Sequence, residues 1–226
     1  MHKKSIPFAC ALLGAALASA AAPPSAKEIL DSVRLQQAKQ ELELQGQLRE
    51  GPVVIPFRLT QTGPVIRYSF SKPDEALQLR LGDNDSRLEE ISGDKLEKIA
   101  PAQFDHKVRG TPVTYEDLSL RFLYWPNAKV IGDDTIQMVD CWRLELRAPP
   151  RQSQYATVRL WVQKDGAAIM KVEGYDTNGK LVKRFTVVSG QKIEGRWFLK
   201  QMRIEEIDPV TGKAIEKTRT YLEINK

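Results

Sequence analysis

From Tyr155 to the C-terminus, apolar and polar residues alternate in stretches of nine to twelve, and each stretch stops at a turn signal. The stretches are 155–164 (YATVRLWVQK), 168–176 (AIMKVEGYD), 180–189 (KLVKRFTVVS), 196–207 (RWFLKQMRIEEI) and 214–225 (AIEKTRTYLEIN). Between them stand Asp165-Gly166, Thr177-Asn178-Gly179, Glu194-Gly195 and Pro209-Val210-Thr211-Gly212. A period of two bounded by Asp-Gly and Asn-Gly predicts long antiparallel strands joined in sequence order.

The N-terminal half repeats this layout behind a helix. Over 26–40 the apolar residues Ile29, Leu30, Val33 and Ala38 share one side, and Ser25 with Glu28 three residues on has the form of a capping box. The period then changes to two: Leu42 and Leu44, then Phe57 and Leu59, then Ile66, Tyr68 and Phe70, then Leu77, Leu79 and Leu81. Gly51-Pro52, Gly63-Pro64, Lys72-Pro73-Asp74 and Gly82-Asp83-Asn84-Asp85 separate these four strands, and a fifth is predicted over 86–92.

The middle of the chain reads differently, with helical spacing over 94–108 and 114–124. Thr114 with Asp117 caps the second stretch, Leu118 and Phe122 form its stripe, and Trp125-Pro126 ends it. One strand over 137–147 leads into the final meander. The expected fold is mainly β (α+β): one domain over 21–226, a strongly curved antiparallel sheet or incomplete β-barrel of about ten or eleven strands, with helices packed on its concave face.

The first residues bear on the compartment. Lys3 and Lys4 precede an apolar run from Ile6 to Leu17, and Ala18-Ser19-Ala20 offers a cleavage site, so residues 1–20 read as a secretory signal peptide and the mature chain as exported. The apolar run is shorter than the roughly 20 residues a membrane span needs. Cys10 lies inside that run, which argues against a lipoprotein signal. Net charge falls from +5 to +3 once Lys3 and Lys4 are removed, and the remaining cations are dispersed, which argues against nucleic acid.

Little catalytic chemistry is present. After cleavage Cys141 is the one cysteine and His106 the one histidine, so neither a disulfide nor a metal site of ordinary spacing is expected, and no cofactor is implied. Alternation around Cys141 favours a buried structural thiol over a redox thiol, and nothing pairs it with His106. Glu89-Glu90 and Asp133-Asp134 have a loop-like context, which suits solvated carboxylates better than an acid/base pair.

From Val113 to Ile224 a set of motifs stands out: Tyr115-Glu116-Asp117-Leu118, then Arg121-Phe122-Leu123-Tyr124-Trp125, Cys141-Trp142-Arg143-Leu144, Val158-Arg159-Leu160-Trp161-Val162, Lys171-Val172-Glu173-Gly174-Tyr175-Asp176 and Gly179-Lys180-Leu181-Val182-Lys183. Together they resemble the outer-membrane lipoprotein-sorting protein family, relatives of the periplasmic carrier LolA. The resemblance covers about half the chain. It implies an incomplete barrel whose concave face, lidded by helices, holds acyl chains.

The candidate ligand-binding face carries Leu42, Leu44, Phe57, Leu59, Ile66, Tyr68 and Phe70 from the N-terminal strands, and Val158, Leu160, Val162, Met170 and Val172 from the C-terminal ones. Leu118, Phe122 and Trp125 are the candidate lid. The expected partners are a lipidated protein or lipid acyl chains, with inner- and outer-membrane envelope proteins to load and unload a monomeric carrier. A non-enzymatic carrier is the favoured reading. A sensor or scaffold of the same fold is the alternative, and an exported hydrolase ranks below both.

Overall fold

The computed structural model describes residues 22–71, 73–193 and 195–225, so the expected signal peptide lies outside the described residues. Helix α1 (Ala26–Ala38) starts at Ser25, whose hydroxyl accepts from the Glu28 N–H while the Glu28 carboxylate accepts from the Ser25 N–H, a closed capping box. Thirteen strands follow: β1 (Glu41–Glu50), β2 (Val53–Thr62), β3 (Val65–Ser71), β4 (Asp74–Leu81), β5 (Ser86–Ser92), β6 (Lys95–Lys98), β7 (Asn127–Ile136), β8 (Val139–Arg147), β9 (Thr157–Gln163), β10 (Ile169–Tyr175), β11 (Leu181–Ile193), β12 (Arg196–Glu206) and β13 (Thr220–Asn225).

All thirteen belong to one antiparallel sheet in the order β6-β5-β4-β3-β2-β1-β13-β12-β11-β10-β9-β8-β7. Each meander is continuous, and the two are joined where the first strand pairs with the last, Gly46 facing Ile224 and Glu50 facing Thr220. The sheet is open rather than a barrel, because β6 and β7 are its two edges. The segment between those edges, 99–126, therefore has to pass from one side of the sheet to the other.

Alternation divides the two faces cleanly. The outer face carries polar ladders across strands. Arg67 donates to the Gln78 carbonyl at 2.6 Å, the Gln78 amide donates to Glu89 at 2.8 Å, and Arg80 donates to the same carboxylate at 2.8 Å. Near the β1/β13 seam, Gln47, Arg49 and Gln201 all donate to Glu223, and on the C-terminal side Arg184 donates to Glu173.

Two apolar clusters fill the inner face. One gathers Leu44, Leu48, Phe57, Leu59, Ile66, Phe70, Leu77, Leu79 and Leu88. The other gathers Leu144, Leu146, Val158, Leu160, Val162 and Val172 beneath Ile29, Leu30 and Val33 of α1. Half-buried Leu120 and Phe185 touch both. At Gly46 the absent side chain makes room for the Phe57 ring, which packs edge-on against Tyr68 and Phe70.

Several expectations are corrected. Among the described residues the strands number thirteen, not ten or eleven. Residues 94–108 are not helical: Lys95–Lys98 pairs with β5, and only short 3-10 turns, Pro101–Gln103 and Val108–Gly110, follow. Pro101 interrupts the stretch midway, and just past its end Arg109, at a left-handed φ of 52°, Gly110 and Pro112 stop a helix from continuing. The stretch 114–124 splits into helix α2 (Tyr115–Ser119) and a 3-10 turn, Arg121–Tyr124, because Leu120 is left-handed at φ 51°.

Strand β7 was not foreseen, and the strand expected at 137 begins at Val139. Gln137 and Met138, both at positive φ, form the two-residue turn between β7 and β8 with neither Asn nor Gly to advertise it. The last stretch is shorter than its pattern, a bridge at Ala214 and a 3-10 turn preceding β13. Glu89-Glu90 and Asp133-Asp134 lie in β5 and β7 rather than in loops.

Two outcomes test this architecture. Gly46→Ala places a Cβ inside the Phe57 ring, which its aromatic neighbours hold, and is expected to cost about 1–3 kcal/mol in urea unfolding. The second concerns acid. Hydrogen bonds from Arg49, opposed by burial and helped by Gln47 and Gln201, lower the Glu223 carboxyl from 4.5 to about 2. A carboxyl depressed on folding stabilises above its unfolded value, and that contribution disappears as pH falls from about 4.5 toward 2. The unfolding free energy over this range should drop by about 1 kcal/mol more for the parent than for Glu223→Gln.

Candidate functional site

The segment 99–126 has little regular structure, yet it buries a row of apolar side chains. Ile99, Phe104, Val108 and Val113 enter the first cluster, and Phe122, Leu123 and Trp125 enter the second. Tyr115, Leu118 and Leu120 are half-buried against the first cluster. The segment is thus a lid that supplies one side of the interior, while α1 supplies another part.

Thr114 and Asp117 explain how the lid is fixed. They form the expected capping box of α2: the Asp117 carboxylate accepts from the Thr114 N–H at 2.8 Å, and the Thr114 hydroxyl accepts from the Asp117 N–H. The same carboxylate reaches the sheet. Oδ2 accepts from the Lys183 ammonium of β11 at 2.8 Å, and Oδ1 accepts from the Tyr155 hydroxyl, just before β9, at 2.7 Å. Lys183 also donates to the Pro112 carbonyl at 2.7 Å.

Both charged side chains of this pair are almost wholly removed from water, 7% and 2% exposed. Lys183 lies opposite Gly174 of β10, where a Cβ would overlap the Tyr155 ring, so the glycine lets the ring lie against the strand. Burial, then the adjacent Asp117 charge, raises the Tyr155 hydroxyl well above its ordinary value and keeps it a donor. Beside the pair, Glu116 is buried and accepts from the Gln154 N–H at 2.9 Å, and burial raises its carboxyl. A depression of about 360 Å3, lined by Lys107, Thr114, Gln154, Tyr155, Lys183 and Glu206 among others, leads from solvent to this cluster.

At its rim the lid is held by exposed or half-exposed contacts. Ser86 donates to the Ser119 carbonyl at 2.6 Å, Tyr124 to the Gly82 carbonyl at 3.0 Å, and Arg34 of α1 to the Leu123 carbonyl at 2.6 Å. Arg109 pairs with Glu75 and covers the Phe70 ring at 4.8 Å.

Eleven of the twelve candidate face residues lie in the two clusters or against them. Leu44, Phe57, Leu59, Ile66 and Phe70 are buried in the first, with Leu42 and Tyr68 half-buried beside it, and Val158, Leu160, Val162 and Val172 are buried in the second. Burial raises the Tyr68 hydroxyl to about 12. Met170 is the exception. A register shift between Ile169 and Lys171 makes Ile169 the residue opposite Val162 and the one that packs on the second cluster. Of the lid candidates, Phe122 and Trp125 are buried in the second cluster and Leu118 packs on the first.

Reading the sequence for apolar positions missed Asp117, Tyr155, Gly174 and Lys183. The signal was available at Lys183, a charge on the same strand parity as the inward Phe185 and Val187. Cys141 and His106 do not come together: the thiol is wholly buried in β8 and raised by that burial, whereas His106 is exposed on the lid beside Tyr115. Among the described residues, no group of three or more His, Cys, Asp or Glu could hold a metal ion.

This architecture, an open antiparallel sheet lidded across one face, is shared with known proteins. Residues 92–225 match a protein-family model described as "-like: Uncharacterized protein". The chain belongs to that family, and its fold is LolA-like. A putative outer membrane lipoprotein-sorting protein domain from Vibrio parahaemolyticus aligns with a TM-score of 0.67 and 15% identity over 89% of this chain and 90% of that one. A LolA superfamily protein from Nitrosomonas europaea gives 0.62 and 16% over 90% and 93%, and a DUF1329 family protein from Desulfovibrio piger gives 0.62 and 18% over 89% and 91%. No curated protein matches the chain in sequence. The LolA-like sheet expected from the motifs is therefore the fold observed.

If the buried pair fastens the lid, Asp117→Asn and Lys183→Met should each destabilise by about 3–5 kcal/mol, because each strands a buried charge or its donor. Hydrogen exchange should show the loss first in the amides of 104–125. Tyr155→Phe removes one hydrogen bond and should cost about 1–2 kcal/mol.

Proposed function

We propose that this chain is a periplasmic carrier that takes lipid acyl chains, alone or on a lipidated protein, between its sheet and its lid. The observation that supports this reading is that the inner face packs against the irregular, edge-to-edge segment 99–126 instead of a second sheet. Raising that segment would uncover Leu44, Phe57, Leu59, Ile66 and Phe70 as one apolar groove and, past Leu120 and Phe185, would lead on to Val158, Leu160 and Val162.

An acyl chain would then replace the lid's apolar side chains. Each buried methylene contributes about 0.8 kcal/mol, so about ten methylenes offset much of the packing that the lid gives up. Two nearly balanced occupants make binding reversible, which carriage requires. The buried pair of Lys183 with Asp117 sets the cost of opening, and the lid's rim contacts give way first.

No step of this reading calls for catalysis or a cofactor. Residues 21–226 act as one unit and as a monomer: the β6 edge carries Lys95, Glu97 and Lys98, which discourage edge-to-edge pairing. Envelope proteins of the inner and outer membranes would load and unload the cargo.

The test joins the lid to β12. Purified mature protein should carry phospholipid in native mass spectrometry or take up a fluorescent long-chain fatty acid. The Lys107→Cys/Glu206→Cys variant, placed where an accessible lid–sheet ion pair stands at 3.7 Å and linked by a short bismaleimide, should take up at least about tenfold less, since its lid cannot rise. Cys141 is buried and stays out of the reaction. A parent that neither carries nor takes up lipid, or a linked variant that binds as the parent does, would sink the proposal.

A further inference from the structure

The β11–β12 hairpin is longer than its neighbours. Strand β11 last pairs with β10 at Thr186, and β12 last pairs with β13 at Gln201, so among the described residues 189–193 and 196–200 pair only with each other. Register shifts at Val187/Ser189 and Ser189/Gly190 mark the base of this arm. Its inner side rests on the first cluster through Ile193 and Leu199, and Gln191 donates to the Leu199 and Ile224 carbonyls, which fixes its direction.

At its end stands Trp197, 70% exposed, the most exposed aromatic residue of the described chain that packs on no core cluster. Its indole is nevertheless held in place. A Cβ at Gly190 would sit 3.3 Å from the ring, so the indole lies over bare backbone, and the Lys192 ammonium stands 5.3 Å from its centroid. Arg196 lies 5.9 Å over Phe198, and Lys200 is exposed on the same arm. Within 189–200 three cations face a single acid in the sequence, Glu194.

We infer that this hairpin tip docks on an anionic phospholipid surface. An exposed indole with one ammonium beside it and two further cations on the same arm matches the head-group layer, where tryptophan places its ring and its N–H while lysine and arginine meet lipid phosphates. This inference is separate from acyl-chain carriage, since the tip stands apart from the lid.

Co-sedimentation of the full mature protein with vesicles tests it. Phosphatidylcholine vesicles containing about 30% phosphatidylglycerol should bind the protein and shift its tryptophan emission to the blue, a shift absent in Trp197→Ala, whereas pure phosphatidylcholine should do neither. Binding should fall about fivefold or more in Trp197→Ala and in Lys192→Glu/Arg196→Glu, and in about 0.5 M salt. Circular dichroism should show all variants folded. Absence of binding to the anionic vesicles would overturn the inference. So would binding that survives both tip variants yet is lost on changing the exposed Val53 and Val54 of the β1–β2 turn to aspartate.

Discussion

The pairing of β1 with β13 governs the rest of the molecule. Each meander alone would be a small sheet with two edges. Joined through their terminal strands, they become one sheet whose free edges, β6 and β7, belong to consecutive parts of the chain. The link between those edges must then cross the sheet, and the face it crosses is the one that alternation has made apolar. A lid over an apolar interior follows from connectivity before any ligand is considered.

That crossing forms backbone hydrogen bonds mostly within itself, so without a side-chain link little but apolar contact would hold it to the sheet. Asp117 changes this. A five-residue helix cannot persist unaided, yet its capping carboxylate is shared among the Thr114 N–H, the Lys183 ammonium and the Tyr155 hydroxyl. One side chain closes the helix and fastens it to two strands. Each partner neutralises or satisfies another in a place with little water, so the cluster stands or falls as a whole.

The two faces of the sheet divide the work between them. Outside, Gln78, Glu89, Glu173, Glu205 and Glu223 are buried or nearly so by their neighbours' long side chains and are satisfied across strands, an arrangement that keeps the sheet in register without an apolar core on that side. At Glu89, for example, burial would raise the carboxyl, but hydrogen bonds from Arg80 and Gln78 outweigh it. Inside, the apolar side chains are free to exchange one partner for another, because dispersion and burial have no direction.

What could be read from the residues was what depends on neighbours in the chain. The capping boxes at Ser25 and Thr114, the strands opened by Asp165-Gly166 and Asn178-Gly179, and the inward sets Leu42/Leu44 and Val158/Leu160/Val162 all rest on local geometry, and all stand in the structure. Local signals failed where backbone was forced into rare conformations without the usual residue, at Leu120 and at Gln137-Met138, and where a bulge put Ile169 in place of Met170. The sequence by itself determined a long antiparallel meander with one apolar face, since side-chain alternation needs no distant partner. Only the tertiary structure decided that β1 meets β13, that the inner face is closed by the lid, and that Lys183 of one strand would find Asp117 of a helix 66 residues earlier. These depend on which distant groups can satisfy one another once water is excluded, and no stretch of sequence contains both halves of that choice.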